Sequence, residues 1–187
     1  KIFTIGEPIL SQTSRLLSVD EIISSEEVAV ATRTAHIALE DFRRKNGFGR
    51  AIAAPQVGHA MSFVAMNLGQ PETMFNPEII HRSNDMFTMW DDCLSFPDLV
   101  VRVQRHESIS VRFVNSKGET EVWKNCTRAV SELLQHEIDH LHGILAVDRR
   151  YDIDPDGNTD GIPGVVPRVD WEANRAMYAA VVDYDIS

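Results

Sequence analysis

The sequence predicts an α+β domain in which antiparallel strands pack around a central metal-binding helix. Three observations carry this. Residues 127–143 place Leu133, Leu134, Ile138 and Leu141 around His136-Glu137-Ile138-Asp139-His140, an apolar helix with a polar trio inside it. Ile109, Val111 and Phe113 alternate with polar residues and run into Asn115-Ser116-Lys117-Gly118, the pattern of a strand entering a hairpin turn. Val28, Ala31, Ala35, Ala38, Leu39 and Phe42 recur on one face of a helix over 26–45.

The elements follow in order. Residues 1–18 read as an extended segment with a turn at Gly6-Glu7-Pro8. Ser24 and Ser25 are candidate caps for the first long helix, and Asn46-Gly47 ends it. Arg50 to Gly58 is rich in small residues and carries one amide side chain, Gln56. Met61–Met66 and Thr73–Ile80 read as strands, the second interrupted at Asn76-Pro77. Glu119–Lys124 returns from the hairpin turn, and the His136 helix starts near Thr127 and ends by Gly143. Asp152–Gly164, rich in Asp, Gly and Pro, reads as a solvated acidic loop. It begins like a calcium loop, but Pro163 falls where the closing Glu is needed. Asp170–Val182 reads as a C-terminal helix with Trp171, Met177, Tyr178 and Val181 on its apolar side.

With 187 residues and no linker or repeat, residues 1–187 are expected to form a single domain. The net charge of -10 argues against a protein that binds nucleic acid or anionic membranes through a basic surface. No apolar run approaches the length of a membrane span. Two cysteines make a disulfide framework a poor expectation, so a reducing compartment is the default: the cytoplasm, or an organelle if an upstream transit segment was removed.

The chemistry concentrates at His136 and His140. Four residues apart, both imidazoles leave one helix face and can meet a single divalent cation. Glu137, beside the first, can take a proton from a water on that ion, as in the H-E-x-x-H hydrolases. Surface histidines on an ordinary helix would not need so apolar a neighbourhood, because buried unpaired polar groups are costly. A third ligand is required; Cys93, Cys126 and an acidic residue all qualify on spacing. His36, His59, His81, His106 and His142 lack ligand spacing and read as surface or structural.

Three stretches together resemble the peptide deformylase family. Gly49-Arg50-Ala51-Ile52-Ala53-Ala54-Pro55-Gln56 resembles its first motif, Asp91-Asp92-Cys93-Leu94-Ser95 its second, and Gln135-His136-Glu137-Ile138-Asp139-His140 matches its third, in the family's order. Gly6-Glu7-Pro8 and Asn76-Pro77 also fit, and the likeness covers roughly residues 2–150. The resemblance implies that Cys93, His136 and His140 hold one divalent ion, usually Fe(II), with Zn, Ni or Co as replacements. It implies Glu137 as the acid–base, and Gln56 with the Leu94 N–H as oxyanion donors. The implied reaction removes the N-formyl group from the N-terminal methionine of newly made polypeptides, with formate released. Contact with the ribosome is implied by the family alone. Two other readings stand beside it: an amidase acting on another N-formyl or N-acyl substrate, and a non-catalytic metal-binding relative.

The sequence departs from the family at four places. Ala51 stands at a glycine position, and Asp91-Asp92 replaces Glu-Gly. Val100 stands where many members have an arginine that pairs with the acidic residue, with Arg102 the nearest substitute. By alignment the substrate pocket includes Arg50, Ala51, Ile52, Met89, Asp91, Asp92, Ala129, Glu132 and Leu133, and Arg50 and Glu132 are charged where the family is apolar. Either both snorkel to solvent, or they pair across the pocket mouth and reshape it.

Overall fold

A computed structural model describes residues 1–152 and 161–185. Ser18 caps a short helix, α1 (Val19–Ser24), and its partner Glu21 closes a capping box. Ser25 caps the long helix α2 (Glu26–Asn46), which ends on Gly47 in the left-handed conformation. The chain then makes β1 (Ala51–Ala53), a 3-10 turn at Ala54–Val57, β2 (Phe63–Asn67) and β3 (Pro71–Arg82). Next come β4 (Met86–Asp92), β5 (Leu99–His106), β6 (Ile109–Val114), β7 (Thr120–Trp123) and α3 (Arg128–Leu141). The C-terminal part holds β8 (Val165–Pro167), α4 (Arg168–Ala173) and α5 (Arg175–Ala179).

The strands form two antiparallel sheets, one ordered β1-β2-β3-β6-β7 and one ordered β4-β5-β8. One face of the larger sheet packs on α2 through Ile52, Phe63 and Ala65 against Ala31, Ala35 and Leu39. The other packs on α3 through Val64, Met66 and Val111 against Leu134, Ile138 and Leu141. The period of two along each strand produces this two-sided burial. Helix α3 therefore lies between the sheets, reaching β1 on one side and β5 on the other.

Several expectations are met and some are revised. The Asn115 turn joins β6 to β7, its side chain accepting hydrogen bonds from the Lys117 and Glu119 N–H groups at 2.9 and 3.0 Å. The interruption at Asn76-Pro77 is a bulge inside β3, with Asn76 at φ 48°. The Asn76 amide repays that conformation by pairing with both Leu17 backbone groups, at 2.9 and 2.7 Å.

The predicted helix over Asp170–Val182 is two short helices, because the chain bends at Asn174 (φ -120°). Strands β4, β5 and β8 were not foreseen. Arg102 and Arg105 are buried in β5 and Asp91 in β4, which breaks the apolar alternation that marks a strand. The acidic loop expected at Asp152–Gly164 falls largely outside the described residues; at its edges, Asp152 accepts a hydrogen bond from the Gly164 N–H at 2.7 Å. No helix among the described residues is long and apolar enough to cross a membrane.

Candidate active site

Helix α3 presents His136 and His140 on one face, and the turn after β4 brings Cys93 against them. His140 Nε2 lies 3.1 Å from His136 Nε2 and 3.3 Å from Cys93 Sγ. All three ligand atoms lie within 4.8 Å of one another, and all three residues are buried. Four-coordinate ions with S and N ligands at about 2.0–2.3 Å need ligand atoms roughly 3–4 Å apart, and the separations of His140 from His136 and from Cys93 fit this. Of the candidate third ligands, Cys93 stands beside the two imidazoles and could complete a metal site, while Cys126 packs with Val111 and Leu134.

The field around the trio also fits a cation. Burial works against a charge on His136, yet Asp91 and Cys93 outweigh it and raise its affinity for a proton. The same surroundings favour a metal ion between the donors. Asp91 Oδ2 lies 2.9 Å from His136 Nδ1, which directs Nε2 at the trio. Burial and the neighbouring His136 push the proton affinity of His140 down, whereas His136 would have to give up its proton to bind an ion.

Gln56 comes from the 3-10 turn after β1. Its Oε1 accepts from the Ala53 N–H at 2.8 Å, so its amide N–H groups face the trio, 3.6 Å from Cys93 Sγ and 3.1 Å from Ser95 Oγ. Above these groups opens a cavity of about 390 Å³. Glu137, His136, Asp91, Leu94, Arg50 and Glu132 lie in its wall, with Ala51, Asp92 and Leu133. Glu137 is 3% exposed, and its Oε2 has no hydrogen-bond partner among the described residues. Burial pushes its carboxyl up to about 7 against the pull of His136.

A profile of the polypeptide deformylase family matches residues 1–156. The chain belongs to the peptide deformylase family. Peptide deformylase of Thermotoga neapolitana is 32% identical over 151 residues, which is 80% of this chain and 85% of that one. The Pseudothermotoga lettingae enzyme is 33% identical over 149 residues, 79% of this chain and 81% of its own. Among solved structures, the Thermotoga maritima deformylase superposes with a TM-score of 0.69 at 28% identity, covering 81% of this chain and 97% of that one. The Synechococcus elongatus deformylase in complex with actinonin gives 0.72 at 25% identity, covering 81% and 80%. As a member of this family the chain is a metal-dependent hydrolase.

Within the deformylase frame, some side chains expected at the pocket lie elsewhere. Ile52 points from β1 into the α2 core, opposite to Ala51. Met89 is fully buried with Phe87, Val101 and Val103. The C-terminal segment runs along β4 there, with the Asp183 and Tyr184 N–H groups both donating to Thr88 O at 3.1 Å. Tyr184 and Asp185 line the cavity instead. Ala129 contributes only its carbonyl, which accepts from Arg50 Nη1 at 3.0 Å. Ala51 lies in regular extended strand, paired with Met66, so this position needs no glycine-only backbone.

The arginine that pairs with Asp91 is Arg105, not Arg102. Arg105 donates to Asp91 at 3.1 Å and to Asp139 at 2.6 Å. Arg102 binds the carbonyls of Tyr151 and Ile162. Burial raises the Asp91 carboxyl, but His136 and Arg105 outweigh it and hold it at about 2. Asp92, the added carboxylate, pairs with Arg168 from α4 at 3.1 Å. Burial nevertheless leaves its pKa above the usual value. Arg105, Arg168 and Tyr184 carried no signal along the sequence, since nothing local shows that an arginine will be buried beside a carboxylate.

Arg50 and Glu132 form the ion pair across the cavity, with Glu132 at 2% side-chain exposure and Arg50 at 36%. Burial pushes the Glu132 carboxyl from 4.5 up to about 7, while Arg50 pulls the other way. A carboxyl raised on folding stabilises the fold below its unfolded value and loses that contribution as pH climbs through its folded value. The urea midpoint of the parent, relative to Glu132→Gln, is therefore expected to fall between pH 5 and pH 8. Parallel pH trends in the two proteins would show that this carboxyl is not held in the buried state.

Proposed function

We propose that this chain removes the formyl group from the N-termini of nascent polypeptides, releasing formate and a free amine. The single observation that carries it is the convergence of Cys93, His136 and His140, with Gln56 Nε2 3.6 Å from Cys93 Sγ, beside a cavity that His136 and Glu137 line. That cavity adjoins β1, the end strand of its sheet among the described residues, whose outer edge suits an extended peptide.

A divalent ion held by Cys93, His136 and His140 supplies Lewis acidity and lowers the pKa of water. Fe(II) is our first choice, and the sulfur and two nitrogens also suit Zn, Ni or Co. Glu137 takes the proton of the attacking water as its oxygen adds to the formyl carbon, then gives it to the amine as the C–N bond breaks. A carboxyl pushed to about 7 works in both directions near neutrality. Gln56 Nε2 and the Leu94 N–H are the donors for the oxyanion. The wall residues Arg50, Ala51, Asp91, Asp92, Glu132 and Leu133 orient the first residue of the peptide.

Residues 161–185 belong to the same domain in this reading, because β8 pairs with β5, and Tyr184 and Asp185 stand in the cavity wall. Substrate arrives at translating ribosomes, so the cytoplasm or an organelle with its own translation is the place of action.

The test is anaerobic formate release from a formyl-Met tripeptide by protein loaded with Fe(II) or Ni(II). Gln56→Ala is expected to lower kcat about 10²–10³-fold with metal content unchanged, the usual cost of one oxyanion donor. One ion bound per chain with no formate from any formyl peptide would overturn the reading.

A further inference from the structure

The formyl carbon must sit at the floor of the cavity, within reach of Glu137. The side chain of the substrate's first residue leaves the next atom but one, so it can reach only the walls of that same cavity. These walls are unusual for a methionine. One turn of α3 above His136, Glu132 turns into the cavity wall rather than to solvent. Arg50 faces it from the entry to β1, tied by Nη2 to Glu132 and by Nη1 to the Ala129 carbonyl. The pair is thus built into the wall at both ends, and it does not snorkel away.

We propose that the Arg50–Glu132 ion pair makes this subsite accept a polar first side chain of methionine's length at least as well as an apolar one, so that the enzyme deformylates N-termini with little preference for methionine. The proposal rests on the deformylase reading and specifies its substrate range. An apolar wall gains free energy for each methylene taken from water. A charged wall loses water from the guanidinium and carboxylate when the same methylenes arrive, and nothing replaces those hydrogen bonds. A side-chain amide replaces them. A guanidinium has five N–H donors, and the two bonds to Glu132 and Ala129 leave others for a substrate carbonyl. The Glu132 carboxylate has acceptor capacity for an amide N–H. Sites built to hydrogen-bond a substrate group discriminate against the analogue that lacks it.

The experiment compares formyl-Gln-Ala-Ser with formyl-norleucine-Ala-Ser on the metal-loaded protein. The two first residues have nearly the same length and differ in polarity. The parent is expected to show kcat/KM for the glutamine peptide equal to or above that for the norleucine peptide. Arg50→Ile/Glu132→Ile is expected to shift that ratio at least tenfold toward norleucine. A binding readout stands beside turnover: calorimetric Kd values of the unformylated Gln-Ala-Ser and norleucine-Ala-Ser peptides for the parent should follow the same order. A parent that prefers norleucine tenfold or more, in turnover or in Kd, overturns the proposal while leaving deformylation intact. Formate from neither of these peptides nor from formyl-Met-Ala-Ser would overturn both. The parent measurement decides the matter even if the double variant does not fold.

Discussion

Glu137→Gln is expected to lower kcat by about 10²–10⁴-fold, the contribution of a positioned acid–base group, while one metal ion per chain stays bound. The side chain keeps its size and one acceptor oxygen but can no longer take a proton. Glu137 is not one of the three convergent ligand atoms, so metal content should survive. Its Oε2 makes no hydrogen bond with the described residues, so placing the amide nitrogen there breaks none. KM should change little, because the ground-state peptide meets the same walls. Formate release and metal analysis on the same sample check both halves. Turnover within a few fold of the parent would move the base elsewhere, and loss of the ion would make Glu137 a ligand.

Arg105→Ala is expected to cost about 3–5 kcal/mol of stability, since it strands a buried carboxylate. Arg105 is 3% exposed and donates to both Asp91 and Asp139. Asp139 keeps Arg149 at 2.8 Å, so the burden falls on Asp91, left with His136 alone. At roughly 2–4 °C per kcal/mol for a chain of this size, the melting temperature should drop by about 6–20 °C. Arg112→Ala is the control. Its bond to Glu78 joins side chains 53% and 60% exposed, and such pairs contribute less than about 1 kcal/mol. Equal melting temperatures for the two variants would show that the Asp91–Arg105 pair is solvated. Because Asp91 also orients His136, the Arg105 variant should weaken metal binding as well, which chelator titration would reveal.

What the sequence determined by itself are the features that depend on neighbours along the chain. His136 and His140 share a face because a helix repeats every 3.6 residues. The serine cap at Ser24 or Ser25, the Gly47 stop and the Asn115 turn rest on local backbone chemistry in the same way. The spacing of Cys93 left it level with Cys126, and only the family likeness favoured it. Tertiary structure separates the two by placing Cys93 Sγ 3.3 Å from His140 Nε2 and Cys126 among Val111 and Leu134.

Tertiary structure alone also decided which charges pair. Strand β5 buries Arg102 and Arg105, so no periodic pattern marked it as a strand, and neither arginine announced its partner. Arg50 and Glu132 stood out only through the family likeness, as two charges where the family is apolar, and pairing and snorkelling were equally open to them. The fold settled that question because β1 and α3 face each other across the cavity. In the same way, Tyr184 reaches that wall only because the C-terminal segment runs beside β4, which contacts between distant residues specify and local propensity does not.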